Sequence, residues 1–433
     1  MPSSSNLRGG PPRGPAAPGP AATLAQRTFE NGLRLVYEPM PWLKTLSMTL
    51  LLPFGSATDE DGHEGGANVL HSWMQRGADQ LGSRELSSAL DDLGVRRGGS
   101  AGRESSSLTA SFLASELAGA LPLIASMATS PRLDDEEFEG SRELALQELQ
   151  SLADAPNERL VEALHERFFA SPQRRSAIGK EEGLRRLTPE SSRLDAKRRV
   201  GPAGAVLALA GGASWAEVEA VAEAAFGSWN GQVEPLPQAA TAAAAVHHVE
   251  ADSQQVQIGL ALPAARPGSD EAYVFGAALA VLSGGSGSRL FTEVREKRGL
   301  VYTVAAVNRA LRGFGYTLGY AGTTPERSQQ TLEVFLAELS KLRDGVTAAE
   351  LERAMTGILS GLVMQGESSG ATAARLASDS FIIGSPRTLA EIRDRFEAVT
   401  LAQVNAYLAD NPLPEPTIVT LGPKRAALEG VAA

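Results

Sequence analysis

The 433-residue sequence contains no cysteine. Disulfides, thiolate nucleophiles and cysteine-ligated zinc are therefore excluded. No apolar run reaches the roughly 18–20 residues needed to span a bilayer, so no membrane partner is expected. Positive charge is also short: 40 Lys and Arg against 51 Asp and Glu leave a formal net charge of −11. A nucleic-acid partner needs a net basic face, and this balance argues against one. The opening MPSSSNLRGGPPRGPAAPGPAA has two arginines but no apolar segment, so it does not read as a secretory signal. Its prolines and glycines also prevent the amphipathic helix of a transit peptide. Residues 1–22 read as a disordered tail, and cytoplasmic residence is the default expectation.

What is present is apolar residue enough for two cores, 43% of the chain, over a length that suggests two domains of about 200 residues each. Asn31-Gly32 marks a two-residue hairpin, and a second strand follows over 45–52. Helical spacing covers 65–76 and 83–93, the latter with Ser83 as candidate N-cap and Gly94 as stop. Residues 105–113 alternate like a strand, with Leu108, Ala110 and Phe112 on one face. Helices are expected over 117–130, 134–152, 157–169 and 215–229, with a short strand over 205–210. The stretch GQVEPLPQAATAAAA, residues 231–245, has no periodicity and reads as a linker.

The second half repeats these types. Strands are expected over 256–262, 301–310 and 313–320, and a last one over 417–421. Helices are expected over 270–282, 290–298, 328–344, 348–365 and 389–410. Gly82-Ser83-Arg84 precedes Gly94 as Gly287-Ser288-Arg289 precedes Gly299, 12 positions from first to last glycine in both halves. Two homologous α+β domains follow, 23–230 and 246–433, each a mostly antiparallel sheet packed by helices.

Several segments resemble one family. Asn31-Gly32-Leu33-Arg34-Leu35-Val36, Gly55-Ser56-Ala57, Gly65-Gly66-Ala67 and Ala222 to Trp229 are similar to the pitrilysin, insulinase and processing-peptidase group. Its active members carry H-x-x-E-H directly after the Gly-x-Ala. Histidines at i and i+4 share a helical face and bind zinc, the glutamate at i+3 is general base, and a later glutamate is the third ligand. Here the aligned stretch is Asn68-Val69-Leu70-His71-Ser72. Asn68 and Ser72 stand at the histidine positions, and His71 stands at the glutamate. Glu148, 76 positions past Ser72, keeps the third-ligand place as an orphan. The resemblance thus implies no zinc in this chain. His63, His165, His247 and His248 show no ligand spacing.

A second segment, Ser288 to Tyr302, resembles the family's C-terminal signature, an arginine and a tyrosine seven positions apart: Arg295 and Tyr302. The resemblance implies that the tyrosine hydroxyl stabilises a developing oxyanion while the arginine fork positions peptide carbonyls. Gly284-Gly285-Ser286-Gly287 lacks the Lys-Ser/Thr of a phosphate loop. The expectation is a subunit inactive alone, paired as a heterodimer with a zinc-bearing homologous subunit and acting on unfolded peptides. The alternative is a structural or binding subunit of the same fold without proteolysis.

Overall fold

The computed structural model describes residues 24–423. The expected tail, 1–22, lies outside the described residues. In chain order the first half comprises β1 Ala25–Thr28, β2 Arg34–Pro39, β3 Thr45–Leu52, α1 Gly66–Met74, the short β4 Gly77–Ala78 and β5 Leu81–Gly82, and α2 Ser83–Asp92. It continues with β6 Arg96–Ala101, β7 Ser106–Leu113, α3 Leu117–Thr129, α4 Asp135–Ser151, α5 Pro156–Phe168, α6 Glu181–Arg186, α7 Pro189–Arg199, β8 Val206–Gly211 and α8 Trp215–Phe226. The second half holds β9 Val246–Glu250, β10 Val256–Ala264, α9 Asp270–Ser283, a π-helical segment Phe291–Glu296, β11 Thr303–Leu311 and β12 Phe314–Thr323. It ends with α10 Ser328–Ser340, α11 Ala348–Gly366, α12 Ser369–Ile382, α13 Leu389–Glu397, α14 Leu401–Asp410 and β13 Thr417–Gly422.

The two halves are built alike. The first sheet runs β1-β2-β8-β3-β7-β6 and the second β11-β12-β10-β13-β9. Reading the second backwards gives the first without β1, and each has one parallel pair, β2 with β8 and β9 with β13. The rest is antiparallel, so the duplicated α+β architecture holds. The Gly-Ser-Arg signature opens α2 in one half and leads into the π-helical segment in the other.

Each half also lends a helix to the other. Helix α5 lays Leu160, Leu164 and Phe168 on Ala261, Val419 and Leu421 of the second sheet. Helix α12 lays Leu376, Ala377 and Phe381 on Val36, Val206 and Ala208 of the first. Polar contacts reinforce the exchange: Arg375 meets Glu38 at 2.8 Å, and the Ser47 and Ser369 hydroxyls lie 2.9 Å apart. The stretch 231–245 has no helix or strand, and Ala240 and Ala242 bond to Ala170 and Phe168.

Several expectations need correction. Asn31-Gly32 does not close a two-residue hairpin. Thr28 pairs with Arg34 across a five-residue loop, where Asn31 donates to the Phe226 and Trp229 carbonyls. Ser83 is not an N-cap; Gly82 precedes the helix and its N–H donates to Glu85. The expected 389–410 helix is two, because Thr400 and Gln403 form a capping box that starts a new one. Strands β6 and β9 and helices α6, α7 and α12 have no counterpart in the sequence reading.

Candidate functional site

Helix α1 starts from a residue only glycine suits. Gly65 has φ +105°, and a Cβ there would lie 2.6 Å from Leu184. The N–H groups of Gly65 and Ala67 both donate to the Asp59 carboxylate at 2.8 Å. Asp59 in turn meets Arg199 at 2.9 Å, with side chains 0% and 1% exposed. Burial pushes this carboxyl up, against the pull of Arg199 and the two N–H groups. The N-terminus of α1 is thereby fixed to the loop before it. Behind it Trp73 packs edge-on to Phe138 of α4, ring centroids 4.9 Å apart.

This anchoring presents Asn68, His71 and Ser72 on one face of α1, as i, i+3 and i+4 must. Glu148 on α4 faces them. The Asn68 Nδ2 donates to the Glu148 Oε2 at 2.8 Å. Glu148, which has no histidine ligands beside it, is thus engaged by the asparagine that stands at the first histidine position. His71 is 6% exposed, and its Nε2 accepts from the Gln75 amide at 3.0 Å. Burial lowers its pKa to about 4, so the ring is neutral, with its proton on Nδ1. Gly99 of edge strand β6 passes directly over it. A Cβ at Gly99 would lie 3.2 Å from His71 Cε1 and 1.9 Å from the Ser107 oxygen.

These four residues line a cavity of about 510 Å³ whose far wall is β6, with Arg97 and Ser100. The donor set does not fit zinc. It offers one carboxylate already holding an amide, one imidazole whose Nε2 is occupied, and two weak neutral ligands. Among the described residues no three His, Cys, Asp or Glu side chains gather as a metal group. Sequence reasoning missed Gln75, which its i+4 spacing from His71 would have flagged. It also missed β6, whose RRGGSA has no apolar alternation because the strand is an exposed edge.

Arg295 and Tyr302 do not line this cavity. They lie together elsewhere, at the π-helical segment, where the Lys297 N–H reaches the Thr292 carbonyl five residues back at 2.9 Å. The Arg295 guanidinium sits between two rings, 5.1 Å from the Tyr302 centroid and 4.8 Å from that of Phe291. Tyr302 is 83% exposed. The nearby Glu293 is held by Lys297 and Arg298, both at 2.6 Å, and its pKa falls to about 2. Arg295 has no carboxylate partner among the described residues. A free guanidinium and a free phenol thus stand side by side.

Residues 34–181 match the profile of Insulinase (Peptidase family M16), and residues 187–358 match the Peptidase M16 inactive domain. The chain belongs to peptidase family M16. An uncharacterized zinc protease of Mycobacterium tuberculosis is 27% identical to this M16 chain over 404 residues, 92% of each. The fold matches an M16 inactive-domain structure from Pseudomonas fluorescens with a TM-score of 0.83 and 21% identity, covering 93% of this chain and 98% of that one. It also matches a chain of Complex III from Candida albicans, with a TM-score of 0.81, 16% identity, and 92% and 95% covered. No helix among the described residues is long and apolar enough to cross a membrane.

Proposed function

We propose that this chain is the non-catalytic subunit of a two-chain M16 peptidase, cytoplasmic and paired with a zinc-bearing homologous subunit. Hydrolysis takes place at the partner's site. This chain holds unfolded peptides and supplies Arg295 and Tyr302. The observation that carries the reading is that uncommitted pair, a half-buried Arg295 beside two rings and an exposed Tyr302. Stacking fixes the guanidinium plane and keeps both groups open to a peptide. Tyr302 then donates to the carbonyl oxygen as charge develops on it, and Arg295 holds a neighbouring carbonyl. Edge strand β6, outermost in the first sheet, suits an extended peptide added as a further strand.

Losing one oxyanion donor lowers kcat about 10²–10³-fold. Tyr302→Phe in the reconstituted pair is expected to lose activity on that scale, with the partner's metal content unchanged. Equal turnover by wild type and variant refutes the role of the pair. A pair that assembles but never hydrolyses peptides supports a structural or binding subunit instead.

A further inference from the structure

Arg295 and Tyr302 meet only if the chain between them holds one course. The π-helical segment ends at Glu296, and the β11–β12 ladder begins at Thr303, opposite Gly322. Tyr302 thus belongs to neither element, and its exposed ring has little packing around it. Gly299, at φ +57°, turns the chain between the two. Its N–H donates to the Arg295 carbonyl, and the Leu300 N–H donates to the Val294 carbonyl, both at 3.0 Å. Leu300 and Val301 are buried in the second core. A solvent-exposed cation–ring contact is too weak to set the course of a backbone, so the 5.1 Å approach of Arg295 to the Tyr302 ring needs another cause.

That cause lies where β12 runs into α10. The Arg327 Nη1 donates to the Gly299 carbonyl at 2.7 Å. Thr323, the last residue of β12, donates its hydroxyl to the Leu300 carbonyl at 2.7 Å. Thr323 and Leu300 are both buried, so this oxygen has no water to replace the hydroxyl. Thr331 of α10 is buried behind them. Its hydroxyl donates to the Arg327 carbonyl at 2.8 Å and stands 3.2 Å from the Thr323 hydroxyl. The residue that holds Gly299 is thereby tied to the residue that holds Leu300. Two successive carbonyls clamped in this way fix the peptide planes that lead to Tyr302.

We infer that Thr323 and Arg327 are positioning residues, whose clamp on Gly299 and Leu300 sets the Tyr302 ring against the Arg295 guanidinium. Its consequence for hydrolysis rests on the proposed role of those two groups. One readout needs no partner subunit. The isolated chain is labelled with fluorotyrosine at its six tyrosines, and the Tyr302 line in the fluorine NMR spectrum is assigned by its loss in Tyr302→Phe. Thr323→Val keeps the side-chain shape without the donor, and Arg327→Met lies at an exposed position that tolerates change. Each is expected to shift the Tyr302 line while the lines of Tyr37, Tyr273 and Tyr407, on other elements, stay in place. Thr323→Ser, which keeps the hydroxyl, is expected to leave the Tyr302 line at its wild-type position. In the reconstituted two-chain enzyme, Thr323→Val and Arg327→Met are expected to lower kcat about 10²-fold with KM little changed, as a misplacement near 1 Å does. Added to Tyr302→Phe, Arg327→Met is expected to lower kcat no further. A Tyr302 line unmoved in both variants overturns the inference. So does a shift of the three remote lines, which marks general loosening, or a full further loss of kcat in the double variant. Wild-type kcat in both variants, with Tyr302→Phe impaired, overturns it as well. Turnover intact in Tyr302→Phe refutes the proposed function instead, and the fluorine line then decides the clamp alone.

Discussion

The exchange of α5 and α12 makes a specific claim: the first sheet is held by a helix from the other half of the chain. Leu376 on α12 is fully buried against Val36, Val206 and Ala208. Leu376→Ala removes three heavy atoms from a contact between the two halves, and such changes cost about 2.7–5 kcal/mol, rising with the cavity left. The partners here are β-strand backbone and small side chains, which relax little, so at least about 3 kcal/mol is expected. With an m value near about 3 kcal/mol/M, the urea midpoint falls by about 1 M. The four tryptophans, Trp42, Trp73, Trp215 and Trp229, all lie in the first half. Their fluorescence therefore reports the half that does not contain the substitution. The expected result is a fluorescence midpoint that falls with the far-UV circular dichroism midpoint. A fluorescence transition that stays in place while the dichroism signal splits would refute the interlock.

Three further outcomes follow from the first half. His71 and His165 are buried and neutral, with pKa values lowered by burial to about 4 and about 3, against 6.5 for an exposed histidine. Between those values the unfolded chain binds protons that the folded chain does not, so stability is full above pH 6.5 and falls as pH drops toward 4. His71→Gln is expected to flatten that fall in unfolding free energy, followed by urea titration at each pH, by on the order of 3 kcal/mol, and an unchanged slope contradicts the assignment. Gly99→Val places a Cβ against the Ser107 oxygen at 1.9 Å with φ +146°. A loss of at least about 2 kcal/mol is expected by thermal melt, and an unaltered Tm would mean that β6 does not lie over His71 as described. Because the α1 and α4 donors do not fit a metal, chelator is expected to leave the Tm of the isolated chain unchanged. A fall in Tm on chelation, reversed by added zinc, would overturn that assessment.

Elements with one buried face were legible in the sequence. Strand β7 alternates Ser106, Leu108, Ala110 and Phe112 inward, and Ser214 caps α8 through the Glu217 N–H as its residue type suggests. Elements whose surroundings do not match a two-sided pattern were hidden. Helix α12 is buried nearly all round, and its interior includes Thr372, Arg375, Asp379 and Ser380, so no apolar stripe stands out. Strand β6 fails for the opposite reason, since it is an exposed edge whose RRGGSA carries no apolar residue but its last. At the site, residue types alone disclosed that Asn68 and Ser72 are poor zinc ligands and that His71 stands where the general base is expected. They could not disclose that Asn68 holds Glu148, because that contact crosses 80 positions of sequence. Nor does spacing reveal that Arg295 is stacked between Phe291 and Tyr302. In an α-helix positions i and i+4 share a face, and the wider π-turn keeps them close while the chain turns toward Tyr302.

The position of α1 does not depend on an ion. Its N-terminus is fixed by the Asp59–Arg199 pair, its C-terminal end by Trp73 against Phe138, and its face toward α4 by the Asn68–Glu148 bond. A hydrogen bond to a charged group contributes about 1.5–3 kcal/mol, and removing one partner of a buried ion pair costs about 3–5 kcal/mol. Losing either Asp59 or Arg199 leaves the other charged group buried and unpaired, a penalty that the solvent-exposed Asn68–Glu148 contact does not carry. The cavity and strand β6 keep their shape although no catalytic donor set remains. In the other half the economy of charge runs the opposite way. Glu293 is consumed by Lys297 and Arg298, which leaves Arg295 bound only to rings. A guanidinium held by stacking keeps all five N–H donors for an incoming group, whereas one held by a carboxylate gives up at least two. The first half therefore holds a shaped cavity without a metal-binding donor set, and the second retains a cation that no internal carboxylate has used.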